Sequence, residues 1–173
     1  MLTLQLSDAT AAALGPGAFG AGVAPSELTP KLQGMVAAGL TRHQEILVFA
    51  ALSRQEHWSR GDFPDLTGWE CAVNSFHLDD MVPVDIGWAD DLPLISEADQ
   101  LVMLRQGMGL AMAVVRLARE LPEPTAVRCI VATSRTNGTF RFHEARPGES
   151  WRLPNLDTYE DEWIAVLDSS SAF

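Results

Sequence analysis

Two cysteines, one lysine and one tyrosine are all that the 173-residue chain holds of those types. Cys71 and Cys129 lie far apart, each in an apolar run (WECAV and RCIVA) where a free thiol packs as a small hydrophobe. A disulfide is therefore not expected, and with no second cysteine close to either, zinc-finger spacing is excluded. Lys31 alone leaves little for a phosphate-loop or Schiff-base lysine, and the remaining eleven basic residues are all arginine. G-x-S-x-G, G-x-x-x-x-G-K and H-E-x-x-H motifs are absent, and Gly15, Gly17, Gly20 and Gly22 do not follow a clear strand in the dinucleotide-binding spacing. No uninterrupted apolar run approaches the roughly 18 residues of a membrane span. The start MLTLQLSDAT lacks a basic segment followed by a long apolar one. The expectation is a cytoplasmic chain with no membrane span and no signal peptide.

Positive charge is missing from residues 61–104, which hold ten acids and no Lys or Arg. Residues 1–60 balance, 105–152 carry eight arginines against four acids, and the remainder carries five acids and no base, so nearly the whole net charge of −11 belongs to the central block. Such a block repels phosphates, which argues against a nucleic-acid partner, and steers a basic protein surface inward. It also fits a solubilising acidic loop. Trp69, Phe76 and Trp88 lie within it. Aromatics ringed by charge compose a protein-binding surface, and the same residues can serve as core anchors with only the acids outside.

A 47% hydrophobic content over this length predicts one domain, residues 1–173, with a sizeable core. Leu2, Leu4 and Leu6 alternate with polar residues as a half-buried strand does. Thr41 and Gln44 have capping-box spacing ahead of the apolar run Ile46 to Leu52, which predicts a helix ending near Arg60-Gly61. Ser96 and Asp99 repeat that signal before a long, nearly all-round apolar helix running to about Leu121 and stopped by Pro122. A strand is expected around Ala72 to Leu78. Val127, Cys129, Val131 and Thr133 share one strand face. A two-residue type I′ turn at Asn137-Gly138 sets Phe142 opposite Thr133 and Phe140 opposite Arg135. Trp163 to Leu167 reads as a strand buried on both faces. The predicted fold is α+β, a mostly antiparallel sheet with two or more helices packed on one face.

Two candidate chemical sites can be weighed. His143 and Glu144 are strand neighbours whose side chains point to opposite faces, so they cannot form a dyad; His143 reads as a polar residue on the outer face near Arg141. His77 and Asp79 share a strand side, close enough for an acid/base pair or a hard cation, yet no third ligand is pinpointed, and Asp79 can instead fix the tautomer of His77. No cofactor is indicated.

Residues 67–80, TGWECAVNSFHLDD, and 128–168, with the Phe-Arg-Phe-His hairpin, Arg-Pro-Gly-Glu and the Leu-Asp-x-Tyr before the last strand, resemble small cytoplasmic immunity proteins encoded beside bacterial polymorphic toxins, the Rhs-type or type VI secretion effectors. The likeness covers about a third of the chain and includes no catalytic motif. It implies an antitoxin, a toxin inhibitor acting by protein–protein interaction, whose partner is a cognate toxin with a basic surface. Asp79, Asp80, Asp85, Trp88, Asp90 and Asp91 are the expected contacts. Two alternatives stand beside it: a small metal-dependent hydrolase or transferase using His77 and Asp79, which metal analysis would detect, and a structural subunit that docks through the acidic block, which size-exclusion behaviour would separate.

Overall fold

A computed structural model describes residues 1–53 and 59–170. Among these, four α-helices and nine strands form an α+β fold around a five-stranded antiparallel sheet. The sheet order is β1 (Thr3–Leu6), β9 (Trp163–Asp168), β7 (Val127–Thr133), β8 (Gly138–Glu144) and β4 (Phe76–His77). Two further hairpins stand outside it: β2 (Leu40–His43) with β3 (Ile46–Phe49), and β5 (Ile86–Ala89) with β6 (Leu92–Ile95).

The strands at the chain's ends follow the predicted patterns. Leu4 and Leu6 turn toward the core while Thr3 and Gln5 are exposed, and Ile164 to Leu167 are buried on both faces between β1 and β7. Helix α4 (Glu97–Arg119) is the central helix. Its Ser96 cap hydroxyl accepts the Asp99 amide at 3.1 Å and donates to the Asp99 carboxylate at 2.8 Å, so Asp99 grips the cap hydroxyl where a reach back to the cap amide is expected. Gly107 brings α4 against β7, since a Cβ there would lie 2.4 Å from Val131. By length and composition α4 could cross a membrane, yet 61% of its apolar window is buried inside this fold. The remaining helices are α1 (Asp8–Leu14), α2 (Pro30–Ala38), which packs on α4, and α3 (Leu66–Val73).

Three predictions are corrected. The expected helix from Thr41 to Arg60 is instead the β2–β3 hairpin, turning at Gln44-Glu45 with Gln44 at φ 55°; residues 54–58 lie outside the described residues. All of Ile46–Phe49 is buried, with Leu47 and Phe49 in the main core and Ile46 and Val48 against Trp69 and Val73 of α3. A short apolar run buried on both sides has no period, and the capping-box spacing misassigned it. The strand expected over Ala72 to Leu78 is helical through Val73, capped by Asp65, whose carboxylate accepts the Gly68 amide at 2.6 Å; only Phe76–His77 is strand. In the third, β7 and β8 pair with Phe142 opposite Cys129 and Phe140 opposite Val131. The link is a four-residue loop, Ser134 to Asn137, in which the Ser134 hydroxyl accepts the amides of Thr136 and Asn137, and neither Asn137 nor Gly138 has positive φ. The register differs from the predicted one by four residues. That even displacement keeps both phenylalanines on the core side, where Phe49 meets Phe142 edge-on at 5.0 Å and Phe76 stacks on Phe140 at 5.4 Å.

Candidate functional site

The ten acids of the central block divide by what they touch. Asp62 accepts the Ser59 amide, Asp65 and Asp99 serve helix starts, and Asp79 accepts the Gly138 amide at 2.9 Å. Glu70 is fully buried. Its carboxylate accepts the amides of Leu47 (2.5 Å) and Glu144 (2.6 Å) and pairs with Arg146 at 2.7 Å. The other five, Asp80, Asp85, Asp90, Asp91 and Glu97, are exposed and form no ion pair among the described residues.

Three of those five share one projection with Trp88. In the β5–β6 hairpin, Ala89 pairs with Leu92 across the two-residue loop Asp90-Asp91, with φ at 51° and 62°. Positive φ at both loop positions is the type I′ requirement, and short acidic side chains tolerate the left-handed region better than most. Such a loop matches the right-handed twist of its strands and presents both carboxylates at the tip. Trp88 is 72% exposed, Leu92 61% and Ile86 43%. The base of the hairpin is fixed: Ile95 is buried, its amide donates to the Arg135 carbonyl at 2.7 Å, and its carbonyl accepts Gln100 Nε2 at 3.0 Å. On one flank a groove of about 450 Å³ runs between Leu92 to Leu94 and the Ser134 to Thr136 loop, with Asp161 and Glu162 on its rim.

The predicted contact set is thus brought together in part. Asp85, Trp88, Asp90 and Asp91 occupy one hairpin. Asp79 lies apart from that hairpin, with only 17% of its side chain exposed and its carboxylate accepting the Gly138 amide. Asp80 stands apart beside Lys31, whose ammonium donates to the Asp80 main-chain carbonyl at 2.6 Å. The three aromatics divide as well: Trp69 is 2% exposed, Phe76 packs against the core, and Trp88 alone projects.

His77 Nδ1 lies 3.9 Å from Asp79 Oδ1, and no group of three His, Cys, Asp or Glu side chains that could hold a metal occurs among the described residues. Burial pushes both thiols, Cys71 and Cys129, up from the ordinary cysteine value, which leaves them protonated and unreactive.

Sequence reasoning missed the buried polar side of the sheet. Asn74, one turn after Glu70, accepts the Phe49 amide through Oδ1 and donates to the carbonyls of Leu47 and Phe142 through Nδ2. Together Glu70 and Asn74 stand in for a missing strand between β3 and β8. Burial raises the Glu70 carboxyl's pKa, opposed by Arg146 and the two amides. His143 lies on the outer face as predicted, but it is fully buried and sits opposite Arg128, which pairs with Asp168 at 2.5 Å. Its Nδ1 donates to the Glu144 carbonyl at 2.7 Å and its Nε2 meets no partner among the described residues. Burial holds its pKa below the ordinary histidine value, and the nearby Arg128 and Arg146 add to that. The one signal available was the i, i+4 spacing of Glu70 and Asn74, which is legible only once residues 66–73 are recognised as a helix.

The profile of the Uncharacterized protein PM0498 family matches residues 21–172, and the chain belongs to that family. No curated protein and no solved structure matches the chain.

Proposed function

For this member of the PM0498 family we propose a binding function without chemistry: the β5–β6 hairpin docks a basic protein partner, and that partner is a cognate bacterial toxin which docking neutralises in the cytoplasm. The observation that carries this reading is Trp88, 72% exposed on a projecting hairpin and flanked by three carboxylates that have no ion partner among the described residues.

Leaving a tryptophan in water forgoes about 2 kcal/mol or more of burial that a folded chain ordinarily captures. Ile86 and Leu92 are exposed on the same hairpin. An anchored aromatic ringed by charge has the composition of an interface hot spot: the indole supplies slow release, the acids supply steering. The identity of the partner as a toxin rests on the resemblance of residues 67–80 and 128–168 to immunity proteins of polymorphic toxin systems. A basic nucleic-acid-cleaving or nucleotide-binding cleft is the surface such a hairpin would occupy.

The test is co-expression with the product of the neighbouring gene. Wild-type chain is expected to restore growth to cells that make that product and to co-purify with it. Trp88→Ala should raise the dissociation rate on the order of thirtyfold, the size of a central hot spot. Unimpaired protection by Trp88→Ala combined with Asp90→Asn and Asp91→Asn would remove the hairpin from the interface.

A further inference from the structure

The open edge of β5 shows how the partner would be held, an inference that rests on the docking function proposed above. In an antiparallel hairpin closed by a two-residue loop, the residues flanking the loop exchange their backbone hydrogen bonds, and the direction alternates from there. Ala89 with Leu92 and Gly87 with Leu94 therefore face inward. Ile86 and Trp88 on β5, and Pro93 and Ile95 on β6, point their backbone groups away from the hairpin. The Ile95 amide bears this out, since it leaves the hairpin to reach the Arg135 carbonyl.

The two outer edges differ. On β6 the outward donors are spent, because Pro93 has no N–H and that of Ile95 is bonded to Arg135. Proline and a covering loop are the ordinary means of closing an edge. On β5 neither device is present: the N–H and C=O groups of Ile86 and Trp88 have no partner among the described residues, and every residue from Asp85 to Leu92 is exposed. An unprotected edge beside exposed apolar side chains is a template for an added strand.

We infer that β5 receives an extended segment of the partner by strand addition, turning the hairpin into a three-stranded sheet. Charge decides what that segment is. A second copy of this chain is disfavoured, because antiparallel pairing of β5 with itself brings Asp85 of each copy beside the Asp90-Asp91 turn of the other, between two molecules each carrying −11. A segment with Lys or Arg at both ends and a β-branched or aromatic centre meets the acids at Asp85 and Asp90-Asp91 and the side chains of Ile86 and Trp88 between them. Main-chain bonds then hold it in register, and the acids choose its composition.

The probe is a short synthetic peptide with a Val-Thr-Val centre flanked by lysine pairs, added to the full chain. Amide hydrogen exchange is followed at Ile86, Gly87 and Trp88, together with the Trp88 indole resonance. The expected result is exchange slowed by at least about tenfold at Ile86 and Trp88 with Gly87 unaltered, and no effect from the same peptide with glutamates in place of lysines. Ile86→Pro removes the outward N–H at a position where an edge strand accepts proline, and Ile86→Ala removes the side chain alone. Proline should weaken peptide binding roughly tenfold beyond alanine, the scale of one intermolecular hydrogen bond. An indole shift without amide protection, with Ile86→Pro and Ile86→Ala equivalent, overturns strand addition and leaves side-chain docking standing. Silence at both the indole and the amides overturns strand addition and the basic-partner reading together.

Discussion

The two small hairpins are built alike and set in opposite surroundings. Each has two four-residue strands joined by a two-residue loop; the backbone is left-handed at Gln44 alone in β2–β3 and at both Asp90 and Asp91 in β5–β6. In the first, all four residues of β3 are buried, and Glu70 and Asn74 lace its backbone to β8. In the second, all four residues of β5 are exposed and its outer edge is unpaired among the described residues. An isolated two-stranded hairpin is marginal in water. One is therefore stabilised by the fold it completes, while the other is held at its base through Ile95, with its tip in solvent. Under the proposed docking role, stability and function are separated between the two, and substitutions should show it.

The largest effect is expected in the buried hairpin. Phe49→Ala empties a ring site shared with Phe76, Phe140 and Phe142 and should cost about 3–5 kcal/mol. Glu70→Ala leaves the amides of Leu47 and Glu144 and the Arg146 guanidinium without their acceptor, for a similar loss of about 3–5 kcal/mol. Either should lower the thermal midpoint by roughly 10 °C. Trp88→Ala belongs to the other hairpin, and its effect on folding stability should stay within about 0.5 kcal/mol. A large loss there would erase the distinction.

An intermediate effect comes from pH. The buried His143 resists protonation in the folded state, whereas the unfolded chain takes its proton near the ordinary value of 6.5. Its contribution to stability is present above that value and is lost as pH falls through it toward the lower folded-state pKa. Urea titrations from pH 7.5 down to pH 5.5 should show falling stability, with a smaller slope in His143→Asn. An unchanged slope would mean that His143 is not the group titrating. The smallest effect is at the turn of the exposed hairpin: Asp91→Gly relieves a left-handed non-glycine residue and should stabilise by a few tenths of a kcal/mol, read by exchange at the Leu92 amide.

The comparison also marks what the sequence could disclose. Where a pattern is periodic and long it was legible: the alternation of β1, the Ser96 cap and apolar girth of α4, the buried run of β9, and the faces of Phe140 and Phe142. Ile46–Phe49 was not, because four apolar residues buried on both sides carry no period. The pattern predicts a left-handed two-residue turn at Asn137-Gly138, where a serine hydroxyl organises a longer loop; such a turn occurs at Asp90-Asp91, where the sequence displays only charge. The site was legible in part for the same reason. Composition placed Trp88 among carboxylates, but the distinction between Asp79 bonded to Gly138 and Asp90 facing water depends on contacts between residues distant in the chain.

The central claim is that the exposed hairpin, through charge and one indole, captures a basic partner. Its most direct test is the association rate between the full chain and the product of the neighbouring gene, measured across a range of salt concentrations for wild type and for the triple variant Asp85→Asn, Asp90→Asn, Asp91→Asn. The account predicts a wild-type rate that falls steeply with salt, and a variant rate roughly tenfold lower at low salt with a much flatter dependence. Equal slopes for the two proteins would contradict it.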